Sequence, residues 1–435
     1  MLNSKRFFVA ALITLFSAVV FLAYGPSRSD SNALLIGFTV AFVAYILVAR
    51  KPFFSWYQLL VIAIGLRVVL LFAPITWTDD HYRYIWDGLC STHGISPLAF
   101  TPEELVTTQP EIFTPEHFEE LNSPEFYSVY PPVSQLVFAA ATKIGGGDIR
   151  RSSQVLRLII IAFDLLTLLA LGALLRSHLN RIHLVALYAF NPLVLTEFSV
   201  NLHTESLMIA PCLGAIHFFK EQRYDLSATL LAIAVSTKLW PFLFLAWIPS
   251  VPGIGRSARF IAITLLVFII SWIPIYTTNL LQHFSSSLKL YVSYLEFNGP
   301  FFELIRSTLG DHLVKGTGLL SILTLLALGL YAVHLFRSKR TNWPNAMLWL
   351  LAIYLFGAQA VHPWYILPLI AFAVLTEWRW PILWSLLIVP TYLTYSQDPF
   401  TQPYWWLIIE YSLLAIFIAW EIVDRPRINA SHSPV

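Results

Sequence analysis

Uninterrupted apolar runs of roughly 17 to 22 residues recur along nearly the whole chain, each long enough to carry a helix across ~30 Å of hydrocarbon. Lipid offers backbone N–H and C=O groups no water, so a spanning segment must be a helix or a strand of a closed barrel. The sustained period-two alternation of barrel strands is absent. Of the 435 residues, 57% are hydrophobic and only 12% charged, which excludes a soluble domain of ordinary make-up. The expected fold class is therefore all-α: one polytopic membrane domain over residues 1–435, with about 12 to 14 transmembrane helices and a large first extracytoplasmic loop. A net charge of +2 is too small and too dispersed to point to nucleic acid.

Where the charges lie sets the expected topology. Lys5 and Arg6 place the N-terminus in the cytoplasm. The run Phe7 to Tyr24 is longer than the apolar core of a cleaved leader and reads as a signal anchor, the alternative being a leader ending near Ala23. Two N-terminal helices fill residues 1–52, the second returning to Arg50 and Lys51. A third run, Trp56 to Ala73, exits and puts Asp79 and Asp80 at the extracytoplasmic face. Arg67 inside that run is either one half of a structural ion pair or part of a site. Residues 74–154 form the outer loop, with prolines and glutamates that favour short, interfacial helices.

The stretch Tyr130 to Ile144 is marginal as a span, and its two readings, crossing or lying on the surface, swap the sides of everything that follows. The surface reading brings Asn201, His203 and Glu205 to the side of Asp79 and is the one adopted. Val155 to Leu175 then crosses inward, His183 to Val200 outward and Glu205 to Phe219 inward. Leu226 to Val251 carries Lys238-Leu239-Trp240-Pro241 at its middle, where a continuous span would bury a charge and break a helix, so two short helices turning at Lys238 are expected. A second outer loop occupies 277–315, Arg337 to Arg340 is cytoplasmic, and residues 424–435 read as a disordered cytoplasmic tail. Cys90 and Cys212 do not share a depth, so neither a disulfide nor a metal cluster is expected.

Five groups meet on the outer side of this map: Asp79 and Asp80; Asn201, His203 and Glu205; Lys238; the region of Asn298 and Arg306; and His362 to Tyr365. Each has a bland reading alone. His203 can simply pair with Glu205, Lys238 can snorkel, and His362 can be a loop histidine among interfacial aromatics. Together they offer a chemistry. A carboxylate takes the proton of an acceptor hydroxyl as its oxygen attacks an anomeric carbon, while cationic or hydrogen-bonding groups hold a departing phosphate. Asp79, Asp80 and Glu205 are hard oxygen donors, so a divalent cation is conceivable, but no spacing dictates a metal site.

Asp79-Asp80-His81-Tyr82-Arg83-Tyr84-Ile85-Trp86-Asp87-Gly88, then Gly94-Ile95-Ser96-Pro97 and Tyr130-Pro131-Pro132, resemble the first-loop pattern of GT-C membrane glycosyltransferases, especially bacterial polyprenyl-phosphate-mannose-dependent mannosyltransferases. Asn191-Pro192, His203-Thr204-Glu205, Lys238 before Pro241 and His362-Pro363-Trp364-Tyr365 extend the resemblance from about Leu59 to Tyr365. It implies a polyprenyl-phosphate-linked donor of a hexose, mannose above all, and a glycolipid or lipid-linked glycan acceptor. It also implies inversion at the anomeric carbon and a site facing outward from the cell's inner membrane. Carried over residue by residue, Asp79 is the base with Asp80 beside it, and Lys238 and His362 face the donor phosphate. Arg83, Tyr84, Asn201, His203, Glu205 and Tyr365 complete the substrate-binding set, with no cofactor. Ser96 stands where relatives often carry Asn, and Glu205 where they carry Asp. The rival reading is a transporter or lipid flippase, which tends to show paired broken helices; Lys238 and Pro241 form one such break without a matching partner. A non-catalytic lipid-binding subunit is a third reading, one that would tolerate loss of Asp79.

Overall fold

A computed structural model describes residues 2–50, 55–176, 179–293, 295–310, 318–338, 342–396, 400 and 402–431. Helices α1 (Leu2–Tyr24) and α2 (Ser31–Ala49) form an antiparallel pair. Gly37 lets them close up, since a Cβ there would lie 2.6 Å from a Leu22 methyl. Small residues at such contacts matter in lipid, where packing must supply what the hydrophobic effect does not.

Among the described residues, six helices are long and apolar enough to span: Lys5–Tyr24, Ser31–Ala49, Ile149–Leu175, Ile254–Ile275, Leu319–Arg337 and Tyr404–Asp424. A bent pair, Arg181–Ala189 with Pro192–Ser199, makes up to seven. Five shorter apolar helices lie between them, and only with these counted does the total reach twelve, the lower end of the 12 to 14 expected. Large apolar side chains such as Ile269, Leu325 and Ile416 stay more than half exposed on the long helices, as lipid-facing residues must. The chain is an all-α, multi-pass integral membrane protein.

The third run is shorter than expected. Helix α3 (Trp56–Val69) opens on a capping box between Ser55 and Gln58 and is followed by turns to Ala73. Arg67 within it is a structural ion-pair member: its Nε donates to Asp164 at 2.6 Å, and both side chains are fully enclosed. Asp164 lies on α8 (Ile149–Leu175), which begins on the cap Asp148 and includes Arg150 and Arg151 in its first turn. Between α3 and α8 come α4 (Asp80–Thr92), the short α5 (Pro102–Thr108) and α6 (Pro115–Phe118), and α7 (Pro132–Gly145). Helix α7 packs on α4 and α8 and is not among the spans. Its turn into α8 needs Gly146 and Gly147 at positive φ, 69° and 80°.

The run from His183 to Val200, read above as one crossing, is two pieces. A 3-10 turn leads into α9 (Ala186–Ala189), and the chain bends by 50° before α10 (Pro192–Ser199). Asn191 is the reason, its side chain accepting from the amides of Leu193 and Val194 while Pro192 opens the new helix. Helices α11 (Ser206–Lys220) and α12 (Tyr224–Val235) follow, and the expected break at Lys238 falls between Val235 and a 3-10 segment, Trp240–Ser250. After α13 (Ile254–Ser271), the second loop contains helices Leu280–Ser293 and Pro300–Leu309. The last helix runs from Tyr404 to Ser431, so residues 424–431 of the segment read as a disordered tail are helical, and residues 432–435 lie outside the described ones. Both cysteines are buried free thiols.

Candidate active site

The α1–α2 loop and the segment before α4 are tied together. Trp77 Nε1 donates to the Pro26 carbonyl at 2.9 Å, and Arg28 N reaches the Thr76 carbonyl at 3.4 Å. Asp79 then occupies the N-cap position of α4 and Asp80 its first turn, where the positive end of the helix dipole favours carboxylates. Arg28 Nη1 donates to Asp79 Oδ2 at 2.5 Å, its guanidinium lying 5.5 Å from the Tyr395 ring. The other Asp79 oxygen accepts no hydrogen bond from the described residues. Asp80 Oδ1 accepts from Asn122 Nδ2 at 3.1 Å, while its Oδ2 lies 3.5 Å from the Tyr84 hydroxyl and 3.6 Å from His203 Nε2.

One turn on, Arg83 serves the loop. Its Nε donates to Asp87 at 2.9 Å, and Nη1 donates to the carbonyls of Ser123 and Phe126. Asp87 also accepts from Ser128 and Gln135, so a buried carboxylate pins residues 123–128 between α4 and α7. Tyr84 stacks on Phe138 of α7 at 4.6 Å.

The sharp turn after α10 places the next group. Leu202 adopts a positive φ of 61°, which folds His203 back so that its amide donates to the Glu197 carbonyl and its Nδ1 lies 2.7 Å from Glu197 Oε2. Trp364 stacks on the His203 ring at 3.7 Å and on His362 at 4.5 Å, and Phe297 covers the other side of His362 at 4.4 Å. Glu205 sits at the N-cap position of α11 and pairs with Lys238 Nζ, which lies 5.4 Å from the Tyr365 ring.

Burial and charge pull the titrating groups apart. Burial works against the His203 cation, but the neighbouring Asp80 carboxylate and the Glu197 carboxylate hydrogen-bonded to Nδ1 overcome it and raise the imidazole to about 9. Asp80 is likewise penalised by burial, yet the charge of His203 3.6 Å away and the Asn122 hydrogen bond hold its carboxyl below the usual range. Burial lowers His362 to about 3, so its ring is neutral at ordinary pH.

A cavity of about 520 Å³ takes in Arg28, Asp79, Asp80, Arg83, Tyr84, Glu205, Lys238, His362 and Tyr365. Leu288, Leu295, Leu351 and Leu355 make part of its wall apolar. Of the residues singled out in the sequence, Asn201 and His203 are not on this wall. Asn201 is enclosed, its Nδ2 donating to Glu197 and Tyr392, and His203 stands behind Asp80. Nor does the Asn298–Arg306 region line it. Asn298 bonds to Glu410, and Arg306 pairs with Glu296 and Glu303. Among the described residues no group of three His, Cys, Asp or Glu side chains is disposed to hold a metal ion.

Arg28 and Glu197 went unnoticed in the sequence. Arg28 gives no local signal, sitting in a short loop far from Asp79 in the chain. Glu197 does: a carboxylate inside an apolar run demands a partner.

The chain matches the family model for the N-terminal domain of alpha-(1->6)-mannopyranosyltransferases over residues 11–251, more than half of its length. No curated protein and no solved structure gives a significant match.

Proposed function

Because this chain belongs to the alpha-(1->6)-mannopyranosyltransferase family and is a mannosyltransferase, we propose that it moves mannose from a polyprenyl phosphate to a hydroxyl of an extracytoplasmic glycolipid or lipid-linked glycan. The acceptor oxygen attacks the anomeric carbon and gives its proton to Asp79. The bond from that carbon to the phosphate oxygen breaks, and polyprenyl phosphate leaves with the electron pair. One displacement inverts the centre, so an alpha product requires a beta-linked donor.

The observation that carries this reading is one cavity lined by two chemically different sets of groups. One set is Asp79 and Asp80, with the open Asp79 oxygen available to a hydroxyl. A general base in such a reaction needs reach more than strength, because the acceptor proton becomes acidic only as the new bond forms. Toward Lys238 and His362 the cavity offers an ammonium, positioned by Glu205, and an uncharged imidazole able to donate a hydrogen bond. Both suit a phosphate whose charge grows as it departs. The adjoining leucines suit an isoprenoid chain entering from the bilayer. Arg83 and Tyr84 then shape the acceptor side rather than touch the phosphate. The cavity needs no metal for this division of labour, and the site opens on the outer face of the inner membrane.

The test is transfer from polyprenyl-phosphate mannose to extracted cell lipids by purified protein. Asp79→Asn abolishes transfer at normal yield and insertion, while Lys238→Ala raises the apparent KM for the donor. Full turnover in Asp79→Asn rejects the assignment of the base.

A further inference from the structure

Glu197 takes no part in the chemistry above, yet it is fully enclosed at the end of α10. It accepts from Asn201 Nδ2 at 3.1 Å, from the Tyr392 hydroxyl, and from His203 Nδ1. No lysine or arginine among the described residues pairs with it, so its charge is matched by His203 alone. A neutral imidazole carries one N–H, but this ring has a carboxylate at each nitrogen: Glu197 on one side and Asp80 on the other. The imidazolium is the form that serves both.

We infer that Glu197 is a positioning residue for mannosyl transfer: it holds His203 as an imidazolium whose far nitrogen orients the Asp80 carboxylate beside Asp79. The inference rests on the cavity being the active site. Three independent features converge on the same ring. The positive φ at Leu202 turns the histidine toward Glu197. Trp364, stacked at 3.7 Å and 12°, fixes the ring plane and offers a π face to a cation. Tyr392 and Asn201 also donate to Glu197, Tyr392 to the oxygen that His203 leaves free, and so hold the carboxylate in place. The groups facing His203 come from every neighbouring element. They are Asp80, with the Arg28–Asp79 pair beyond it, from α4, and Glu197 from α10. The Glu205–Lys238 pair, His362 and Tyr392 complete the set. Glu205–Lys238 and Arg28–Asp79 are ion pairs among themselves and His362 is uncharged, so His203 is the cation that the Asp80 and Glu197 carboxylates share.

The experiment measures kcat/KM for polyprenyl-phosphate mannose from pH 6 to 9.5 with purified full-length protein. Wild type loses activity along a limb near pH 9. In Glu197→Gln that limb moves down by about one pH unit or more, and transfer at pH 7.5 falls by roughly ten-fold or more, with the donor KM little changed. Glu197→Asp keeps the charge and returns the limb toward its wild-type place. His203→Gln removes the limb altogether, and serves as the deciding variant should Glu197→Gln not fold. A uniform loss at every pH, or a limb left where wild type has it, overturns the inference. Asp79→Asn and Asp80→Asn separate the two levels. Full transfer by both rejects the cavity as the site, whereas their inactivity beside an unmoved limb in Glu197→Gln rejects only the role given to Glu197.

Discussion

Replacing Asp164 by leucine removes the counter-charge of a fully enclosed arginine. Arg67 and Asp164 are wholly enclosed 2.6 Å apart, and Arg67 Nη1 also donates to the carbonyls of Ala63 and Ala189 at 3.0 Å. Leaving that guanidinium unpaired costs about 3–5 kcal/mol by analogy with other buried pairs. The figure agrees with the ~2.5–3.5 kcal/mol for an uncompensated arginine at a helix centre. The reverse change, Arg67→Met, costs less, roughly 1–3 kcal/mol. The orphaned aspartic acid can take up a proton and keep the hydrogen bond from Tyr188, 2.9 Å away. Arg67→Met with Asp164→Leu returns close to wild type, because apolar groups of similar volume replace buried ion pairs at little cost.

The assay is thermal unfolding of detergent-solubilised protein at a fixed scan rate, compared between variants because unfolding of a chain this large is irreversible. At roughly 2 °C per kcal/mol, Asp164→Leu lowers the midpoint by about 6–10 °C, and the double variant recovers most of it. Equal and additive losses in the two single variants would refute the reasoning, since additivity means that the groups do not interact. Activity falls in Arg67→Met and in the double variant alike, because the Arg67 bond to Ala189 also fixes the bend that leads into α10 and Glu197.

Gly88→Ala lowers the midpoint too, by the ~1–3 kcal/mol of an overpacked contact, since its Cβ would meet Thr142 Oγ1 at 2.1 Å and the Phe138 carbonyl at 2.5 Å. Gly88→Ser lowers it further, and an unchanged midpoint in either variant would show that α4 and α7 do not touch as described. Stability also has a pH window whose limits come from different histidines. His203, raised to about 9, stabilises the fold fully below its unfolded value of ~6.5 and loses that contribution as pH climbs through 9. His362 and His81, lowered by burial to about 3 and about 4, stabilise above ~6.5 and lose their contributions as pH falls through those values. Midpoints scanned from pH 4 to 9.5 therefore peak near 6.5, and His203→Gln flattens the alkaline side alone.

Much of this was legible because lipid makes a charged or helix-breaking residue expensive. The break at Lys238 and Pro241 follows from that rule, as does the need of Arg67 for a partner. The bend at Asn191-Pro192 carries a helix-start signature that a count of apolar residues passes over. The acidic pair was visible as carboxylates after an apolar helix, but their surroundings were not. Arg28 reaches Asp79 across 51 positions and Tyr392 reaches Glu197 across 195, distances at which spacing says nothing. Asn201 and Arg83 were marked for substrate; Asn201 lies enclosed behind the cavity wall, while Arg83 lines the cavity and also holds the outer loop.

The cavity wall is drawn from both ends of the polymer, Arg28 near one and Tyr395 and Phe400 near the other. During synthesis, Asp79 and Asp80 emerge from the ribosome more than three hundred residues before their last neighbours. A growing chain thus sets both acids in place long before the far part of their cavity exists. The wall around the two carboxylates is complete only once Tyr395 and Phe400 are in place.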